Sequence, residues 1–432
     1  MSDIAHTLAK DSGGRPAGYD VERIRADFPI LSRTVHERTG KKPQPGKPLV
    51  YLDSGASAQK PRHVIDTMTR FLEEDYANIH RGVHFLSQRA TDRFEAVRDK
   101  VAAFLNAPSR DGIVFTRNAT EAINLVASSY ARTFLERGDE IIVSVMEHHA
   151  NIVPWQLVQM EKGVVLKVVP VDEAGVLDLD AYRALFGPRT KLVALTHCSN
   201  VLGTVTPAKE IVRIAHERGV PVLLDGSQAV VHSTVDVQDI GADFYVFTGH
   251  KLYGPTGIGV LCARLDLLKK MPPFMGGGDM IQSVSFNGTT FKEPPMRFEP
   301  GTPPIAEAIG LGAAIDYVES IGREAIAAHE HDLLTYATKR LTEIEGLRII
   351  GTAPGKAAII SFVVDGVHPH DLGTVVDQYG VAVRVGQHCA EPLMERFGVG
   401  STARASFALY NTRAEADALA DAVKAVKEFF GA

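Results

Sequence analysis

Cysteine is scarce in this chain: Cys198, Cys262 and Cys389 are the only ones in 432 residues. An odd, sparse set with no pairing pattern excludes a disulfide framework and suits a reducing compartment, read here as the cytoplasm. Long apolar runs are missing too. The longest, such as 191–196 with its Leu-Val-Ala-Leu centre, fall far short of the roughly 20 residues of a membrane-spanning helix. No membrane partner is expected. The first residues hold no apolar signal core, so no secretion signal is expected either. A basic excess is absent: 46 Lys+Arg stand against 52 Asp+Glu, a formal net charge of −6. That balance argues against a nucleic-acid binder held by a general basic field. A strand-linked Gly-x-Gly-x-x-Gly is also lacking. Gly310 and Gly312 sit inside a helix-type run rather than after a strand, which argues against a dinucleotide-binding dehydrogenase.

What is present is a regular alternation of elements. At roughly 100–200 residues per domain, the length allows two or three domains. Residues 1–19 are polar and Gly-rich and read as a mobile tail, and the Pro- and Gly-rich stretch 40–48 reads as a loop. Apolar runs predict strands at 113–116, 140–145, 164–169, 191–196, 220–224, 244–248 and 257–263. Helical patterns fall between them at 120–134, 152–161, 179–186 and 207–218. Several of these strands are continuously apolar, which means burial on both faces, as in a mostly parallel sheet covered by helices. After a loop-rich stretch (272–304), helices are expected at 305–321 and 324–345, a strand at 358–364, and helices at 371–379 and 414–430. The expected fold is α/β, with an N-terminal segment (20–50) packing on the small domain. A large domain (51–304) is followed by a smaller α+β C-terminal domain (305–432).

In an open parallel sheet, ligands bind outside the carboxyl ends of the strands. Five strand ends here deliver polar groups: Thr120 and Glu121, then His148 and His149, then His197 to Asn200, then Asp225 and Gln228, then Thr248, His250 and Lys251. Any one of them reads equally as a turn or cap residue. Thr120, Thr248 and His250 are phosphate-type donors, and Thr120 stands at a helix start. Asp225 is a carboxylate that follows a buried strand, and Lys251 can give an amine to a carbonyl. A phosphate, a ring nitrogen needing a carboxylate and an aldehyde needing a lysine together describe pyridoxal 5'-phosphate (PLP).

The segments DGSQA (225–229) and FTGHKLYGPTGIGVL (247–261) resemble the fold-type I, class V PLP-dependent transferases. The details are similar to the group II, SufS-type cysteine desulfurases. Supporting segments are YLDSGASAQKP (51–61), ANIHRGVHFLS (77–87), MEHHANIVPWQ (146–156), RFEPGTPP (297–304), VRVGQHCAEPLM (383–394) and RASFALYNT (404–412). Gln387 stands where that family has the first histidine of Gly-His-His-Cys. The resemblance implies that Lys251 forms the Schiff base, Asp225 pairs with the pyridine nitrogen, His148 stacks on the ring and moves protons, and Gln228 reaches the ring hydroxyl. It implies that Thr120, Thr248 and His250 hold the phosphate. Thr302 would reach it from the other subunit of a homodimer. Arg404 and Asn200, with Arg384 and His80, would bind the substrate. Cys389 would be the nucleophile that takes sulfur from L-cysteine as a persulfide. L-Alanine would be left, and the sulfur would pass to an acceptor protein of the SufE or SufU type for iron–sulfur cluster assembly. A selenocysteine lyase on the same scaffold is the alternative. No metal site is expected, since His368, His370, His388 and Cys389 lack a closed four-ligand spacing.

Overall fold

The computed structural model describes residues 19–37 and 45–431. The expected tail thus lies, but for its final residue, outside the described residues, as does most of the 40–48 loop. Seven strands form the central sheet: β1 (Ile113–Thr116), β2 (Glu140–Ser144), β3 (Val165–Val169), β4 (Thr190–Thr196), β5 (Val222–Asp225), β6 (Phe244–Thr248) and β7 (Gly259–Ala263). Their order is β1-β7-β6-β5-β4-β2-β3. The strands run parallel except β7, which is antiparallel to both neighbours.

Alternate residues of a strand point to opposite faces, and here both faces are buried. Val193, Leu195, Leu224, Tyr245 and Phe247 enter one core, while Leu192, Ala194, Leu223, Phe244 and Val246 enter the core on the other side. This two-sided burial is the physical source of the continuous apolar runs. Strand β5 is displaced relative to the expected 220–224, so that Asp225 is its last residue. The backbone of Asp225 is therefore held by the sheet ladder.

The expected helix 120–134 begins as α-helix at Ala119–Leu125, then widens into π-type turns over Val126–Ala131. The stretch 272–304, expected as loops, contains a hairpin of β8 (Ile281–Ser285) and β9 (Gly288–Phe291). Almost every residue of that hairpin is exposed, so no buried face writes a period into the sequence.

The second sheet has four antiparallel strands in the order β10-β11-β13-β12: β10 (Leu347–Ile350), β11 (Ile359–Val364), β12 (Arg384–Gly386) and β13 (Thr402–Ser406). Ile360, Phe362, Ala403 and Ala405 pack with Leu333, Leu341, Leu419 and Val423 of the helices Arg323–Thr342 and Arg413–Phe430. The N-terminal segment touches both sides of the molecule. Val50–Tyr51 pairs with Val381–Ala382, and Arg25 bridges to Glu415, while Phe28 packs edge-on to Tyr253. The helix Ile305–Ile321, grouped from sequence with the second domain, packs on helices Arg62–Arg70 and Phe85–Phe104 beside the large sheet. Glycine makes this approach possible. A Cβ on Gly310 would lie 2.7 Å from Met68 Sδ, and one on Gly312 2.8 Å from Val97 Cγ2.

Candidate active site

A cavity of about 200 Å³ opens where the strand ends face the second sheet. It is lined on one side by Thr120, His148, Asn200, Asp225, Thr248, His250 and Lys251, and on the other by Arg384, His388, Cys389 and Arg404. Every strand end singled out in the sequence contributes a lining residue. The second sheet brings the cysteine to the same space from 138 positions further along the chain than Lys251.

On the strand-end side, Asp225 and Thr248 are buried. Asp225 Oδ1 accepts the Ser227 backbone N–H at 2.9 Å. Burial lowers the pKa of the Lys251 ammonium, against the attraction of Asp225, and so favours the neutral amine that attacks a carbonyl. His148 is pushed down to about 4, by burial first and then by Lys251. Its Nδ1 accepts the Ala150 N–H at 3.0 Å, which leaves the one proton of the neutral ring on Nε2. His250 is lowered to about 4 by burial. Its carbonyl oxygen receives the Ala58 N–H at 3.1 Å and the Lys60 ammonium at 2.9 Å, which fixes the backbone just before Lys251. The hydroxyl of Thr248 is buried and has no hydrogen-bond partner.

The opposite side is held by cross-domain bonds. His388 and Cys389 both have left-handed backbone, φ 53° and 55°, a conformation that costs a non-glycine residue on the order of 1 kcal/mol or more. Their carbonyls are secured by the large domain. Asn200 Nδ2 donates to His388 O at 2.8 Å, and the His149 N–H donates to Cys389 O at 2.7 Å. The Glu391 N–H donates to His149 Nε2 at 3.1 Å. Cys389 is exposed, whereas Cys198 and Cys262 are buried and pushed up to about 12, which makes them poor nucleophiles. Arg404 donates to Asn200 O at 2.9 Å and to Asp53 Oδ1 at 3.2 Å, but its buried Nε has no partner.

These groups fit PLP and an amino-acid substrate. A lysine whose charge burial disfavours and a buried carboxylate at a strand end suit its aldehyde and ring nitrogen. The unpaired Thr248 hydroxyl suits its phosphate, and the unpaired guanidinium N–H of Arg404 suits a substrate carboxylate.

Three of the expected residues lie elsewhere. Gln228 is buried behind the cavity wall and donates to Gly55 O at 2.7 Å. Thr302 lines a separate surface pocket with Arg117 and Glu121. His80 pairs with Glu95 Oε1 at 3.1 Å beside Asp279 and Lys292. Among the described residues, no cluster of three or more metal-ligating side chains occurs. Of the four candidates, His368 caps a helix through its Nδ1, and His388 Nε2 meets Thr402.

Sequence reasoning missed Asp53. It holds both Arg404 and, at 3.8 Å, Arg384. The available signal was its place between the apolar Val50–Leu52 and Gly55, a carboxylate at the end of a strand too short to show a period.

Comparison with known proteins gives the family. The aminotransferase class-V family model matches residues 50–419. A cysteine desulfurase of Serratia proteamaculans is 51% identical over 414 residues, covering 96% of this chain and 100% of that protein. A cysteine desulfurase of Synechococcus elongatus is 49% identical over 98% of this chain, which spans only 66% of that relative's length. Among solved structures, the cysteine desulfurase CsdA of Escherichia coli, in an S-sulfonic acid form, matches with a TM-score of 0.87. The match has 41% identity and covers 95% of this chain and 99% of that one.

Proposed function

We propose, for a chain that belongs to the class-V aminotransferase family and within it to the cysteine desulfurases, that this cavity takes the sulfur from L-cysteine and leaves L-alanine. The observation that carries the reading is the convergence of Lys251, Asp225 and Cys389, from two separate sheets, on one cavity.

Lys251 would hold PLP covalently, Asp225 would face its ring nitrogen and Thr120, Thr248 and His250 its phosphate, and the cofactor would supply an electron sink for the Cα–H bond of the amino acid. Arg404, aided by Asn200, orients the substrate carboxylate, with Arg384 at the more open rim. The Lys251 amine would take the α-proton of the bound amino acid, and His148, with its proton on Nε2, lines the same space. The Cys389 thiolate then attacks the substrate sulfur. The Cys389–sulfur bond forms, the carbon–sulfur bond breaks with its electron pair left on carbon, and a proton completes alanine. The balance is L-cysteine plus Cys–SH giving L-alanine plus Cys–S–SH. No outside oxidant is required.

A homodimer is part of the proposal, with the exposed Thr302 completing the other subunit's phosphate site and His80 lying near that contact. Sulfur leaves to an acceptor protein of the SufE or SufU type, in a reducing cytoplasm, for iron–sulfur cluster assembly. Selenocysteine, with the same carboxylate and amine, would use the same residues.

The test is rapid-quench measurement of alanine in the PLP-loaded protein. Wild type releases about one alanine per site and then stalls without acceptor or reductant, because the sulfur blocks Cys389. Cys389→Ser keeps the cofactor absorbance, responds spectrally to L-cysteine and releases none. Normal alanine yield from the serine variant overturns the assignment.

A further inference from the structure

A second cavity, of about 340 Å³, lies at the junction of the two sheets' domains, apart from the active site. It is lined by Cys198, Ala229, His232, Ser233, Glu330 and Lys356, among others. That volume falls at the small end of ligand pockets, roughly 300–1,000 Å³. Its polar lining is unusual. His232 Nδ1 and Glu330 Oε2 meet at 2.6 Å, with side chains 6% and 2% exposed. The second polar atom of each, His232 Nε2 and Glu330 Oε1, is buried without a hydrogen-bond partner. Such atoms are costly to leave unpaired, so each points to a group that would pair it. The nearby Lys356 ammonium spends one of its hydrogens on Gly351 O at 2.8 Å, leaving two for a ligand.

The pairing demands differ in charge. The Glu330 carboxylate oxygen calls for a donor, best a cationic one. The Lys356 ammonium calls for an anionic acceptor, while His232, whose Nδ1–H faces the Glu330 carboxylate, leaves Nε2 as an acceptor that also calls for a donor. A lone anion would leave Glu330 Oε1 unpaired, and a lone cation would leave Lys356 unpaired. A group carrying both charges within a few ångströms satisfies all three. The remaining lining, Ala229, Ala327, Ala357 and Val205, is small and apolar and accepts a short side chain.

We propose that this junction cavity is a second, non-catalytic binding site for a small zwitterionic α-amino acid, with Glu330 and His232 receiving its ammonium and Lys356 its carboxylate. The site touches the catalytic machinery through the backbone on two sides. Ala229 follows Gln228 and Asp225, and Cys198 lies two residues before Asn200, which holds His388 O. Occupancy would therefore steady both the cofactor strand and the cysteine loop.

The test uses holoenzyme reduced with borohydride, so that the cofactor is locked on Lys251 and cannot exchange with an added amine. Isothermal titration with L-alanine is expected to show one site per chain with no change in the cofactor spectrum. Lys356→Met and Glu330→Gln, each checked by thermal melting, are expected to weaken it about tenfold or more, as loss of one charged hydrogen bond does. Propionate and ethylamine, each carrying one charge, are expected to bind correspondingly worse. The proposal is overturned if the reduced holoenzyme shows no alanine binding at millimolar concentration, if Lys356→Met binds as well as wild type, or if propionate matches alanine.

Discussion

The strand-end side and the cysteine side of the active cavity hold equally necessary groups by different means. On the first, Asp225 and Thr248 end strands whose every residue is buried and their backbone is fixed by the sheet ladder, and Lys251 follows in a short turn held by bonds from Ala58 and Lys60 to His250 O. On the second, Cys389 sits beyond the three-residue strand β12, exposed, in consecutive left-handed residues held by single bonds from Asn200 and His149. A cofactor that stays put is served by a rigid wall. A nucleophile that must load sulfur and then surrender it is served by an exposed loop with a few defined tethers. If this contrast is right, damage on the strand side removes chemistry altogether, and damage to the loop's tethers only slows sulfur transfer.

The largest expected effect comes from Lys251→Ala. It removes both the Schiff-base amine and the proton carrier, and activity should fall by about 10⁴-fold, the upper range for a general acid–base group alone. Mass spectrometry after borohydride treatment should find the cofactor on Lys251 in the wild type and on no lysine in the variant. Cofactor trapped on another lysine would break the rigid-wall reading at its centre.

The pH dependence sharpens the same side. A free histidine near 6.5 would become charged across the neutral range, but burial holds His148 down to about 4. Its neutral, Nε2-protonated form therefore persists as pH falls from 8 to 5 and is lost only as pH passes through about 4. In the cofactor-free protein, nitrogen-labelled histidine spectra should show His148 titrating near 4. A midpoint near 6.5 would mean that this wall is wetter than described.

The contrast also explains which parts of the molecule are legible in the sequence. Strand ends can be read because two-sided burial writes continuous apolar runs, and such a run marks where a strand stops and which side chains lie at its carboxyl end. The residue roles on the cysteine side carry no such mark. Arg384, Cys389 and Arg404 lie on or beside the short strands β12 and β13, whose polar sequences show no apolar run, and are reached through resemblance to a family. Asp53 escapes both routes, and the exposed hairpin at 281–291 escapes because it buries nothing. Helix Ile305–Ile321 is legible as a helix, yet its apolar faces cannot say which sheet they cover; the close contacts at Gly310 and Gly312 are visible only in three dimensions.

Asp53 makes an intermediate test. Asp53→Asn removes the charge that steadies Arg404, a guanidinium only 3% exposed, while leaving its size. Loss of one charge-assisted hydrogen bond is worth about 1.5–3 kcal/mol. The KM for L-cysteine should therefore rise about tenfold or more, with the resting cofactor spectrum unchanged. An unchanged KM would show that Arg404 is positioned by Asn200 alone.

The smallest effect is expected from His149→Ala, which probes the loop side without touching its nucleophile. The bond from the His149 backbone N–H to Cys389 O survives the substitution, and only the side-chain acceptor for the Glu391 N–H is lost. One neutral hydrogen bond contributes about 0.5–1.5 kcal/mol, so a two- to tenfold slowing is expected. The slowing should fall on one step. The spectral response to L-cysteine, which depends on Lys251, Asp225 and His148, should keep its wild-type rate, while alanine release, which requires Cys389 in place, should lag. Stopped-flow absorbance and rapid-quench alanine measured on the same preparation separate the two. Equal slowing of both steps would mean that the loop and the strand ends move as one unit, and the division between a rigid cofactor wall and a tethered sulfur wall would have to be abandoned.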